Sequence, residues 1–203
     1  MGATTATRTR LTLQPHRHFH RHPHARTDDA GHDMPTVHLI CGLPCSGKTT
    51  YARGLHADRD GVLFSLDRWL ITAFGRYALS EVGHDEHVRR VLACRDLIWE
   101  QSLEWLRRSV DVILDDGFFL RENRIQCVES AKAAEAQATI HLVDTPVAVI
   151  QSRLTSRNAT LPRHNFAIDP QTLLAFVELF ERPSEDEGAE LTVATLPSDG
   201  QPW

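Results

Sequence analysis

Eight consecutive residues, Gly42 to Thr49 (GLPCSGKT), constrain this chain more than any other feature. They fit G-x-x-x-x-G-K-[ST] without a mismatch, directly after a short apolar run at residues 37–41 and before a stretch with helical character. Gly42 and Gly47 allow backbone angles and close approach that a Cβ would obstruct. Successive N–H groups then turn inward around an anion, at a helix N-terminus whose dipole favours negative charge. Lys48 extends towards β- and γ-phosphates, and the Thr49 hydroxyl suits the shell of a Mg²⁺ ion. The pattern predicts an ATP and Mg²⁺ cradle built from Gly42, Leu43, Pro44, Cys45, Ser46, Gly47, Lys48, Thr49 and Thr50. Cys45 has no cysteine at CxxC spacing, since Cys41 lies four residues earlier, so it reads as loop filler.

The chain around this loop alternates strand and helix patterns. Apolar runs at residues 62–64, 112–114 and 139–143, and a weaker one at 191–194, predict further strands. The longest helical stretch covers about residues 85–108, with Val91/Leu92, Ile98/Trp99 and Trp105/Leu106 predicted on one core-facing side. Thr145-Pro146 and Asp169-Pro170 each place a capping side chain before a proline at the first helical position. Strands alternating with helices predict an α/β fold with a parallel sheet covered on both faces. Residues 1–33 stand apart from this pattern. They hold six of the twelve histidines, interleaved with Arg17, Arg21 and Arg26, and few apolar residues. That composition predicts a disordered leader, although alternating histidines also suit a transition metal. The leader lacks the apolar core of a secretory signal and, Arg-rich and acid-free until Asp28, weakly resembles an organelle transit peptide. Met34 offers an internal start immediately before the first strand, which puts the folded domain at residues 34–203.

Three further positions bear on how a γ-phosphate would be used. Asp67 follows the second strand, where ligand crevices of parallel sheets open. It is placed either to accept a proton from an attacking hydroxyl or merely to cap the next helix. The third strand closes on Asp115-Asp116-Gly117. A carboxylate there holds Mg²⁺, directly or through water, and Asp115 is the candidate, with Asp116 also readable as a turn residue. Arg153 and Arg157, four apart, share a helix face leading into a polar stretch at residues 158–168. This reads as a lid that would close over a transferring phosphoryl group. Arg121 and Arg124 read as phosphate contacts or as solvent-facing helix residues.

The motifs GLPCSGKTT, FSLDRW, VILDDGFFLRENR, RLTSRN and FVELFERPSEDEG, spread over residues 35 to about 187, resemble a known family. It comprises small P-loop kinases grouped with polynucleotide kinase, zeta toxins and chloramphenicol phosphotransferase, and bacterial proteins called AAA-family ATPases or predicted kinases. The resemblance implies a P-loop three-layer sandwich with a five-stranded parallel sheet of nucleoside-kinase-like topology. It also implies Asp67 as general base, Lys48 and Thr49 on nucleotide and metal, and Arg153 and Arg157 on a lid. The expected activity is an ATP-dependent kinase acting on a hydroxyl of a small molecule. A polynucleotide 5′-hydroxyl kinase and a nucleotide-switched binding protein are the alternatives. Twenty-two basic against 27 acidic residues, a formal charge of −5, disfavour a nucleic-acid partner. No apolar run approaches a membrane span of roughly 18 residues. Four scattered cysteines suit a reducing cytoplasm.

Overall fold

The structure is a computed structural model and describes residues 34–195. The leader, with the expectations placed on it, lies outside the described residues. Along the chain come β1 (Thr36–Cys41), α1 (Lys48–Asp58), β2 (Gly61–Ser65), α2 (Leu66–Phe74), α3 (Leu79–Val82) and α4 (His84–Leu106). They are followed by β3 (Asp111–Gly117), α5 (Arg121–Ala133), β4 (Gln137–Asp144), α6 (Val147–Thr160), α7 (Pro170–Leu179), a 3₁₀ turn (Glu185–Glu187) and β5 (Glu190–Thr195). The five strands form one all-parallel sheet in the order β2-β3-β1-β4-β5.

Because both faces of the sheet are covered, its central strands are apolar on successive residues rather than on alternate ones. Val37, Leu39 and Cys41 of β1 pack with Ile98 of α4 and Val128 of α5. Ile40 faces the other way, with Ile113, Val143 and Ala52 of α1. His38 and His141 are the polar exceptions on the α1 side. His38 Nδ1 lies 3.0 Å from His141 Nε2, and His141 Nδ1 lies 2.9 Å from the Tyr51 hydroxyl. Burial and the neighbouring His38 lower the His141 pKa to about 3, so the ring is neutral and serves as a hydrogen-bond link.

Two local expectations change. Thr145 does not cap α6: Pro146 takes that position, and the Thr145 hydroxyl instead donates to Ser46 O at 2.8 Å. A short polar side chain beside a buried carbonyl is worth more there than at a helix end that water can reach. On α4 the buried stripe is Cys94, Ile98, Ser102 and Leu106, while Leu92 leaves the core and is 51% exposed. Asp169 does cap α7, accepting from the N–H groups of Gln171 and Thr172 at 2.9 Å.

One irregularity positions the site. Ile40 pairs with Asp115 but Cys41 with Gly117, so Asp116 is an extra residue in β3. Such a bulge re-aims side chains where a strand meets a functional site.

Candidate active site

The loop after β1 is shaped by backbone approach. Gly42 has φ 145°, and a Cβ there would stand 2.8 Å from Val143 O and 3.0 Å from Ser46 Oγ. Gly47 is left-handed at φ 105° and starts α1, bringing Lys48 into the first helical turn. Cys45 also has positive φ, at 62°, a conformation non-glycine residues hold only where the surroundings enforce it. Those surroundings are visible: Ser46 O accepts from Thr145 Oγ1 and, at 3.1 Å, from Arg153 Nη1. The Ser46 hydroxyl is buried without a partner. Lys48 Nζ donates to Leu43 O at 2.8 Å, folded back over its own loop. Burial lowers the Lys48 pKa, while Asp115 and Asp67 oppose that shift.

The two carboxylates at the end of β3 separate cleanly. Asp115 lies on the α1 side and accepts from Thr49 Oγ1 at 2.8 Å. Burial raises its pKa, countered by Lys48 and by the Thr49 hydrogen bond. Asp116 lies on the α4 side, clamped in two hydrogen bonds of 2.6 and 2.7 Å by Arg95. It is neither a turn residue nor beside Thr49. Among the described residues no group of three or more His, Cys, Asp or Glu forms a metal cluster. The Thr49 and Asp115 pair offers hard oxygens for an ion that takes its remaining ligands from phosphate and water, the habit of Mg²⁺.

Asp67 sits in the first turn of α2, where the helix dipole favours an acid, but it is not the cap. Ser65 occupies that position. The Asp67 side chain is exposed to solvent but stands in the wall of a cleft, with Lys48, Asp115 and Arg157 around it. That enclosure raises its pKa to about 6 against the pull of Lys48, so it titrates near neutrality.

The two α6 arginines have different surroundings. Arg153 is committed to the loop carbonyls of Ser46 and, at 3.5 Å, Cys45. Arg157 Nη2 donates to Phe166 O at 3.2 Å, while its Nε is buried with no partner. The stretch after α6 is tied down from both sides. Asn158 Nδ2 donates to Ile168 O at 2.7 Å, and Arg76 Nη2 donates to Pro162 O at 2.7 Å.

For Arg124 neither sequence reading survives, whereas Arg121 keeps a partly exposed side chain. Arg124 is fully buried, paired with Glu187 at 2.7 and 2.8 Å, and it donates to Phe118 O at 2.9 Å. Arg121 pairs with Asp186 at 3.0 Å. Both sit where solvent or phosphate would be expected because the turn after residue 180 folds acids onto α5, which helix periodicity does not reveal.

Lys48, Thr49, Asp67, Asp115, Arg153 and Arg157 all line one cavity of about 1050 Å³. Pro44, Cys45, Gly47 and Thr50 line it too, whereas Gly42, Leu43 and Ser46 stand behind the wall. Sequence reasoning passed over Arg95, Phe119 and Asn123, which also line it. The FF pair after Asp116-Gly117 was the available signal: Phe118 enters the core, which leaves Phe119 to the cavity. A family model described as an AAA domain (AAA_33) matches residues 37–183, most of the chain and all of the site.

The chain belongs to this AAA domain family.

Solved structures agree on the fold. A candidate kinase from Chloroflexus aurantiacus superposes with a TM-score of 0.67 at 18% identity, covering 83% of this chain and 91% of that one. Kti12 from Chaetomium thermophilum, in complex with ADP-AlF3, gives 0.59 at 20% identity over 78% and 88% of the two chains. A chain of the Pnkp1/Rnl/Hen1 RNA repair complex gives 0.58 at 19% identity, covering 74% of this chain and 45% of its own length. No curated protein matches by sequence.

Proposed function

We propose that this chain is an ATP-dependent kinase that transfers the γ-phosphate to a hydroxyl of a small molecule. The observation that carries this reading is Asp67. A carboxylate titrating near neutrality opens into the same cavity as the phosphate loop and the Thr49–Asp115 pair. A protein that only switches on nucleotide has no need of a base aimed at an acceptor. The Chloroflexus and Kti12 likenesses support nucleotide handling on this fold.

In this reading the acceptor oxygen attacks the γ-phosphorus and forms the new O–P bond. The bond from γ-phosphorus to the β–γ bridging oxygen breaks, and ADP keeps the electron pair. The acceptor proton passes to an Asp67 carboxylate oxygen. Lys48 meets the β- and γ-phosphates in place of its present contact with Leu43 O. Mg²⁺, held through Thr49 and Asp115, would neutralise charge on those phosphates when bound. Arg157 turns its unpartnered Nε to oxygens that gain charge during transfer. Arg153 holds the loop in shape from behind, and residues 153–168 act as the lid. The four cysteines are all unpaired, which supports a cytoplasmic location. No helix among the described residues is long and apolar enough to cross a membrane.

The test is Asp67→Asn. An acceptor is first found by screening γ-phosphate transfer to alcohols, sugars, nucleosides and antibiotics. Asparagine keeps shape and hydrogen bonding but takes no proton, so transfer should fall by about 10² to 10⁴ with fold and ATP–Mg²⁺ affinity retained. Asp115→Asn is the control and should instead raise the Mg²⁺ requirement. A rate within about threefold of wild type would remove Asp67 from the chemistry and leave the nucleotide-switched reading ahead.

A further inference from the structure

We propose that the acceptor end of the cleft selects an uncharged alcohol with an apolar, preferably aromatic, body. This rests on the kinase reading and names its substrate class. Past Asp67 the cavity runs between Leu70, Val91, Phe119, Phe176 and the lid residue Phe166. Phe119 stacks on Phe176 with ring centroids 5.2 Å apart and planes 13° from parallel, presenting a preformed aromatic wall. Its volume of about 1050 Å³ is at the upper end for a single drug-sized ligand, so a second molecule has room beside a nucleotide.

Exposure points the same way. Eight large apolar residues are exposed among the described residues, and four of them, Leu79, Val88, Leu92 and Leu179, line this cavity. Scattered exposed leucines need no explanation, but a cluster around one mouth marks a surface that a ligand covers. Leu92 is the residue that left the core stripe of α4, and at 51% exposure it stays open to solvent at the rim.

Charge separates the candidate acceptors. The cavity-lining cations without a carboxylate partner, Lys48, Arg153 and Arg157, are at the phosphate end around Cys45. On the acceptor side Arg95 is neutralised by both oxygens of Asp116. Arg90 is paired with Glu86 at 2.7 Å and lies over the Tyr77 ring at 4.7 Å. Within the cavity wall a polynucleotide end or a phosphorylated acceptor would therefore meet only an arginine that is already paired, because Arg68, Arg76 and Arg163 gather around His164 outside the wall. A free sugar would turn several hydroxyls towards the phenyl and aliphatic walls without partners. The uncharged polar lining on this side is Tyr77, His84, His87, Asn123, Asn165 and Thr172, but Tyr77 and His87 are bonded to each other at 3.1 Å and Thr172 to Asp169 at 2.6 Å, which leaves fewer partners than a free sugar has hydroxyls.

The experiment uses the full chain with Mg–ATP and offers benzyl alcohol, naphthalenemethanol and menthol against glucose and an oligothymidylate with a free 5′-hydroxyl. Binding is read separately, by saturation-transfer NMR in the presence of a non-hydrolysable ATP analogue. Leu92→Glu and Val88→Glu place a charge on the exposed rim, where folding is not at risk. The expected result is transfer to at least one apolar alcohol about tenfold or more faster than to glucose or the oligonucleotide. Each rim variant should lower kcat/KM for that alcohol by about tenfold and leave ATP affinity unchanged. Equal or faster transfer to glucose overturns this inference while the kinase reading stands, and equal or faster transfer to the oligonucleotide overturns both this inference and the small-molecule acceptor. Apolar-alcohol binding that the rim variants do not weaken, or no such binding at all, overturns this inference alone. Rim-sensitive binding with no transfer to any acceptor supports the apolar site and refutes the kinase reading instead.

Discussion

Arg124→Leu should be among the most destabilising single substitutions in the domain, although Arg124 touches no proposed substrate. Both Arg124 and Glu187 have fully buried side chains. The guanidinium makes two hydrogen bonds to Glu187, of 2.7 and 2.8 Å, and donates to the carbonyls of Phe118 at 2.9 Å and Phe119 at 3.3 Å. Leucine fills much of the volume but takes the main partner from the Glu187 carboxylate and strands the Phe118 carbonyl, while Phe119 O keeps the Glu181 N–H at 2.9 Å and Arg121 stays 3.4 Å from Glu187. Breaking a buried pair from one side costs about 3–5 kcal/mol. Ser184 N–H still reaches Glu187 at 3.1 Å, which places the cost at the lower end, about 3 kcal/mol. For a domain of this size that is roughly a 6–12 °C fall in Tm. Urea unfolding followed by circular dichroism reads the free energy, and the double variant Arg124→Leu/Glu187→Leu supplies the cycle. Removing both charges should recover part of the loss, because two apolar side chains strand no ion.

The pH dependence gives a second check on the same pair. Burial alone would raise the Glu187 pKa, but the hydrogen bonds from Arg124 and Ser184 outweigh it and hold it below its ordinary 4.5. A depressed carboxylate pKa contributes stability above 4.5 that is lost as pH falls through the folded value. The gap between wild type and Arg124→Leu should therefore narrow on acidification below that point. A loss under about 1 kcal/mol, or a double variant as unstable as the sum of the singles, would refute the reasoning.

Four further outcomes concern the site itself. Lys48→Ala should raise the ATP dissociation constant by about tenfold or more and abolish turnover, since one charge-assisted contact is lost from an otherwise intact cradle; unchanged calorimetric affinity would unseat the loop assignment. Arg157→Ala should slow transfer by about a hundredfold with a smaller effect on ATP binding, because its guanidinium lines the cavity beside the phosphate loop and carries an N–H with no partner to give up. Arg153→Ala should instead act mainly on ATP affinity, through the Ser46 carbonyl it holds, and the reverse order in single-turnover assays would exchange the two roles. With the Asp67 pKa raised to about 6, the base form fills as pH rises through that value, so kcat/KM should climb and then level off. A profile flat from about pH 5 to 8 would remove Asp67 from the rate-limiting proton transfer.

What the sequence determined by itself is what adjacent residues decide. The phosphate loop is one contiguous run whose glycines answer a local backbone demand, so its position and geometry were legible without a structure. The α/β class and the parallel sheet followed from the alternation of apolar runs and helices, and the Asp169 cap from residues two and three places on. Tertiary structure decided everything that depends on which distant residue arrives. Arg124 meets Glu187 across 63 positions, and His38 meets His141 across 103. Asp115 and Asp116, adjacent in sequence, face opposite sides of the sheet as successive strand residues do, but only the packed layers bring Thr49 to one and Arg95 to the other. Leu92 fits the heptad-like spacing of α4, yet it ends on the rim of the cleft, ahead of the buried stripe that begins at Cys94. Periodicity reports which side of a helix is apolar, but only the assembled layers determine whether that side meets a core or a cavity.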